Sequence, residues 1–86
     1  MPDATSDPTR RRAIAEETRR LRQLQFTVRL VMSIISQSNP PFEEASEMVA
    51  ATRRLALRLF PGKELAYELI YQPRLQRLLA QKYRLH

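Results

Sequence analysis

Gly62 and Lys63 are candidates for phosphate binding, because a basic residue there follows the only glycine in the chain. A phosphate-binding P-loop needs another glycine five residues earlier, a Ser or Thr after the lysine, and a strand leading into the loop. The sequence instead has Leu57 and Glu64 at those two positions, within helix-forming surroundings. We therefore interpret residues 60–64 as a corner between two helices.

Side chains that catalyse reactions or bind metals are scarce. The chain has no cysteine, and its single histidine is the terminal residue His86. Glu16 and Glu17 are adjacent, as are Glu43 and Glu44, so each pair diverges on a helix instead of converging on one ligand. The sequence predicts a protein that is not an enzyme, with no catalytic or metal site, no cofactor and no small-molecule substrate.

Arginine dominates the charge. The net charge is +6, and 13 of the 15 basic residues are Arg, whose guanidinium groups bind phosphates and carboxylates through paired hydrogen bonds. The candidate contacts to phosphate or to an acidic partner are Arg19, Arg22, Arg74, Arg77 and Arg84. Nucleic-acid binding through these residues would show little sequence preference. The alternative is that they form solvated helix faces, with their stems covering apolar surface.

A helix-turn-helix would place residues 61–72 in the major groove of DNA. This segment offers Glu64, Glu68 and two tyrosines, whereas base edges are read mainly by Arg, Lys, Asn and Gln. The charge pattern therefore argues against this motif.

The elements that would position these residues are all helical, because apolar residues recur at steps of three and four and no alternating strand pattern occurs. We predict an all-α fold, a compact bundle of three to four helices, in a single domain over residues 8–86. The expected helices span about 8–37, 41–60, 63–72 and 73–85. Residues 1–7 are mostly small and polar and include Pro2, with no large apolar residue beyond Met1, which predicts a disordered tail. Asp7 and Pro8 suit the N-cap and first position of the first helix.

The first helix carries a long apolar stripe. Its members are Ile14, Leu21, Leu24, Val28, Val31 and Ile35. In the second half, Phe26, Leu30 and Ile34 add a neighbouring stripe, so we expect this half to form the core. The first half is narrower and is expected to fray or to bind a partner.

The third helix is apolar nearly all round, so it must be central or covered by something. We therefore favour a protein-protein interaction or regulatory adaptor domain that binds a partner protein or a second copy. The candidate partner-binding residues are Tyr67, Tyr71, Leu21 and Leu24. Two alternatives stay open: the four helices cover one another, or the chain is a basic nucleic-acid-binding protein.

The longest apolar-rich run, residues 26–35, is interrupted by Arg29 and is about half as long as a membrane span. The first residues lack the apolar core of a secretory signal. Tryptophan is absent, and the apolar face of the first helix has a use in the core, so binding to a membrane surface is not favoured. We expect a cytoplasmic protein.

Overall fold

The computed structural model describes residues 7–84, which form four α-helices and no strand. They are α1 (Pro8–Ser38), α2 (Phe42–Leu59), α3 (Glu64–Ile70) and α4 (Gln72–Tyr83). The prediction of an all-α helical bundle is confirmed for this part of the chain. α1 begins at the expected residue, and the other described helix ends differ from the expected ones by one or two residues. The tail expected over residues 1–7 lies outside the described residues except for Asp7, and so does the helix end expected at residue 85.

α1 begins at the predicted cap and continues for 31 residues. The Asp7 carboxylate accepts a hydrogen bond from the Thr9 backbone N–H at 3.0 Å, and Pro8 takes the first helical position, where no N–H is needed. The helix ends at Ser38, and its C-cap residue Asn39 adopts the left-handed conformation with φ 50° and ψ 51°. At a rise of about 1.5 Å per residue, α1 is about 46 Å long. It accounts for most of the longest dimension of the molecule, 57 Å.

The core lies along the carboxyl-terminal half of α1, which packs against α2 and α4. The buried residues are Leu24, Val28, Val31 and Ile35 of α1, Ala45, Val49, Thr52 and Ala56 of α2, Tyr67 of α3, and Leu75 and Leu79 of α4. Thr52 is polar, but its hydroxyl donates to the Met48 backbone carbonyl at 2.8 Å, so its burial leaves no unpaired group. The steps of three and four residues therefore mark the packing faces of α1, α2 and α4.

The prediction that Phe26, Leu30 and Ile34 widen the core face of α1 was wrong. Phe26 and Leu30 are 66% and 46% exposed, whereas Ile34 is half-buried. Each residue turns a helix by about 100°, so Ile34, Leu30 and Phe26 lie progressively farther round α1 from its buried stripe. The other helices cover only the side of α1 that carries the buried stripe, and its far side faces solvent.

The segment between α2 and α3 is a tight turn, as predicted. The Lys63 backbone N–H donates to the Phe60 carbonyl at 3.2 Å, with Pro61 and Gly62 in the two central positions. Gly62 has φ +79°, the conformation that a type II turn requires at this position. No atom lies within 4 Å of where a Cβ would be at Gly62, so the glycine serves the backbone conformation and not a close approach.

α3 and α4 follow each other without a loop. Tyr71 keeps right-handed helical angles between them, and the Leu75 N–H donates to the Tyr71 carbonyl at 3.2 Å. Pro73 lies in the first turn of α4 and has no N–H to donate to the Leu69 carbonyl, which explains why the two helices are separate. α3 packs on α2 and α4 and lies away from α1.

Polar contacts tie the carboxyl-terminal end of α1 to the end of α4. The Lys82 ammonium donates to the Ser36 carbonyl at 3.1 Å, which supplies a partner for one of the last carbonyls of α1. The Tyr83 hydroxyl donates to the Pro40 carbonyl. The Tyr83 ring also packs edge-on against Phe42, with centroids 5.5 Å apart. We call this region, where α1 and α4 end together, the closed end.

Candidate functional site

An open, apolar groove of about 320 Å³ lies between α1 and α3. It exists because α3 is short and packs on α2 and α4 without reaching α1. The residues that line it are Leu21 and Leu24 of α1, Ala56 and Phe60 of α2, Lys63, Ala66, Tyr67 and Ile70 in and before α3, and Tyr71. We call the region that contains this groove the open end.

All four residues predicted to contact a protein partner line this groove. Leu24 and Tyr67 are buried, with 3% and 4% of their surfaces exposed, so they form its floor. Leu21 is 41% exposed and Tyr71 is half-buried, so both offer surface to a ligand. Residues far apart in the sequence therefore converge on one site. Within that site, Tyr67 packs beneath the surface and exposes little of its own side chain.

Tyr67 is held mainly by apolar packing. Its ring lies 5.8 Å from that of Tyr71, at an interplanar angle of 31°. Its hydroxyl is buried and has no hydrogen-bond partner among the described residues. Burial raises the pKa of this hydroxyl above its ordinary value of 10.0, and the positive charge of Arg53 opposes the rise. Arg53 itself donates to the Glu68 carboxylate at 3.1 Å and so links α2 to α3.

The outer surface of α3 extends the apolar area beyond the groove. Leu65, Leu69 and Ile70 are 69%, 70% and 52% exposed, and Tyr67 is the only buried residue of α3. The alternative in which the four helices cover one another is therefore wrong for α3. On a helical projection, Ile70, Ala66, Leu69 and Leu65 follow one another around α3 over about 140°. This arc leads from the groove to the far side of the helix.

The amino-terminal part of α1 projects past the other helices. Every residue from 8 to 23 is exposed, including Ile14 at 46% and Leu21 at 41%. We call this segment, residues 8–23, the overhang. Ile14 and Leu21 continue the stripe that Leu24 and Val28 carry into the core. The overhang therefore extends one side of the groove with further apolar side chains.

The five arginines predicted to contact phosphate or an acidic partner are exposed, but they lie on two different helices. Arg19 and Arg22 belong to the overhang, whereas Arg74, Arg77 and Arg84 belong to α4 and its carboxyl cap. No ion pair to a described residue involves any of them.

Sequence reasoning missed Arg29 and Phe26 as members of the surface that holds Arg19 and Arg22. Steps of three and four residues connect Arg19, Arg22, Phe26 and Arg29, so these side chains share one face of α1. The missed signal was this spacing, because Phe26 was grouped instead with Leu30 and Ile34, which follow it at steps of four residues. Ile70 was similarly missed as a groove residue, although it stands three positions after Tyr67.

No known protein family, curated protein or solved structure matches the chain. Within residues 7–84, none of the helices combines the length and the apolar character needed to cross a lipid bilayer. The same residues contain no group of three His, Cys, Asp or Glu side chains arranged to hold a metal ion.

Proposed function

We propose that this chain is a small, non-enzymatic protein-interaction module, an adaptor that holds an amphipathic helix of a partner protein in the groove between α1 and α3. The observation that carries the proposal is the apolar surface that the chain leaves uncovered at its open end. Contiguous apolar surface on a small soluble protein usually marks a site of association. A cytoplasmic location is part of the proposal, as expected from the sequence.

A helix is the ligand that suits this site. The groove runs beside α1, and Ile14 and Leu21 extend its apolar lining along the overhang. A partner helix lying along α1 would place residues at i, i+3 or i+4, and i+7 against this lining. On the other side, Ile70 would contact the same helix, since half of its surface is free.

The charge of the open end favours another protein over a second copy. Residues 8–23 carry six arginines and two glutamates, and Lys63 lines the groove. If the overhangs of two copies lay side by side, each would bring this excess positive charge against the other, which opposes association. We therefore assign the groove to a partner helix that carries acidic residues beside its apolar stripe.

A displayed library of helix-forming peptides of about 18 residues, long enough for five turns, provides the test. Selection on the wild-type chain should enrich peptides that have apolar residues at i, i+3 or i+4, and i+7 and a net negative charge. Ile70→Glu places a charge in the groove and should weaken the enriched peptides at least tenfold, the loss typical of a residue central to an interface. Binding is measured by fluorescence anisotropy.

Leu65→Glu is the matched control, because Leu65 lies on the far side of α3 and is 69% exposed. It should leave peptide binding within about twofold, as expected for a change outside the contact. Failure to enrich any peptide, or equal losses in the two variants, would reject the groove as a binding site. A doubled mass in light scattering that Ile70→Glu abolishes would assign the groove to a second copy instead.

A further inference from the structure

The side of α1 that faces away from the groove and the core carries a second, different surface. Starting from Arg12, steps of three and four lead through Ala15, Arg19, Arg22, Phe26, Arg29 and Ser33. This face contains no acidic residue, and every side chain in it is exposed. It lies about 160° round the helix from the stripe that includes Leu21 and Leu24. We call it the outer face.

The four arginines of the outer face are available to bind an anion. None of Arg12, Arg19, Arg22 and Arg29 forms an ion pair with a described residue, whereas Arg20 beside them contacts Glu16 at 3.5 Å. Arg12 and Arg29 are 17 residues apart, so the row is about 26 Å long. A row of guanidinium groups at intervals of one or two helical turns suits a linear ligand with a negative charge on each repeat.

Phe26 adds an exposed aromatic ring to this row of arginines. The residue is 66% exposed, and its neighbours on the same face are Arg22, one turn earlier, and Arg29, one turn later. Its ring packs in neither ring pair of the described residues. An exposed aromatic ring between arginines can stack on an unpaired base while the guanidinium groups hold the phosphates on either side. In a duplex the base faces are already stacked, so the ring would have no such use.

We infer that the outer face of α1 binds single-stranded nucleic acid, with phosphates at Arg19, Arg22 and Arg29 and a base stacked on Phe26. A lipid surface fits less well, because binding in a bilayer interface needs a broad apolar face. Here Phe26 and the partly exposed Leu30 are set among arginines. The inference is independent of the groove, since the two surfaces lie on opposite sides of α1.

Fluorescence anisotropy with a labelled 20-nucleotide oligouridine tests the inference at 50 and 200 mM salt. Three phosphate contacts predict that affinity falls about 20-fold between these concentrations. Phe26→Ala should weaken binding about fivefold or more, as loss of one stacked base does. The double variant Arg19→Ala and Arg22→Ala should weaken binding and make it less dependent on salt. Circular dichroism checks that each variant keeps its helices, which exposed positions on α1 should allow.

The matched control is Arg74→Ala with Arg77→Ala, which removes the same charge from α4. It should weaken oligouridine binding less than the α1 double variant does. The inference is overturned if oligouridine does not bind at 50 mM salt, or if the α4 variant loses as much affinity as the α1 variant. It is also overturned if a duplex of equal length binds as tightly, or if vesicles with anionic lipids bind through Phe26 and oligouridine does not.

Discussion

The two ends of α1 carry the same apolar stripe and meet opposite surroundings. At the closed end, Ile35 is completely buried, and the end of α4 is hydrogen-bonded to the last turn of α1 and the segment after it. At the open end, Ile14 and Leu21 are almost half exposed, and α3 lies across a groove. The spacing that makes a helix face apolar thus does not decide whether the chain itself covers that face. Coverage depends on how far the other helices reach.

The comparison between the two ends of α1 is tested by replacing Ile35 and Ile14 with alanine, one at a time. Of all the substitutions proposed, the replacement of Ile35 has the largest expected effect on stability. Ile35→Ala removes a fully buried side chain and should lower the free energy of unfolding by about 2–5 kcal/mol. Ile14→Ala, in the overhang, should change it by less than about 0.5 kcal/mol. Urea denaturation followed by circular dichroism measures both.

If Ile35→Ala leaves too little folded protein to measure, Ile35→Val gives a milder version with an expected loss of about 0.5–1.5 kcal/mol. Equal effects at positions 14 and 35 would contradict the division of α1 into a packed half and an exposed half. They would mean that the overhang is buried in solution, for instance against a second copy. A mass measurement by light scattering would then identify that state.

The sequence predicted the buried stripe of α1 better than the stripe beside it, for a physical reason. Leu24, Val28 and Ile35 pack in the core because their spacing places them on one line, and that line has helices to meet. Phe26 and Leu30 are as apolar as these residues, yet they are exposed because no element passes on their side of α1. Residue type and period describe a single helix, whereas burial also requires knowledge of where its neighbours run.

Removing one hydrogen bond at the closed end is the second test, and its expected effect on the free energy of unfolding is smaller. Tyr83→Phe keeps the ring that packs on Phe42 and removes the hydroxyl that donates to the Pro40 carbonyl. It should lower the free energy of unfolding by about 0.5–1.5 kcal/mol, the usual contribution of one such bond. Thermal and urea unfolding measure the change. No loss of stability in this variant would show that the Tyr83 hydroxyl does not help to hold the closed end.

The candidate site was predictable in four of its members but not in its shape. Leu21, Leu24, Tyr67 and Tyr71 were chosen because the first and third helices have apolar surface in excess, and all four line one groove. That Tyr67 would be its buried floor could not be predicted, because this depends on the tight turn at Gly62 and on the junction at Tyr71. These two connections fix where α3 lies, and the spacing of residues within α3 contains no information about them.

Tyr67 at the open end is the counterpart of Tyr83, and its substitution should have the smallest effect. Tyr67→Phe removes a buried hydroxyl that has no partner among the described residues, so at pH 7 stability should stay the same or rise by up to about 1 kcal/mol.

Burial raises the pKa of Tyr67 above 10.0 in the folded chain, so the unfolded chain loses this proton first as the pH rises. Wild-type stability should therefore fall above about pH 10 relative to Tyr67→Phe, in addition to any difference between the two proteins at pH 7. Urea titrations of both proteins from pH 7 to 11 measure it. A clear loss of stability in Tyr67→Phe at pH 7 would show instead that the hydroxyl has a partner, and that polar contacts hold the open end as they do the closed one.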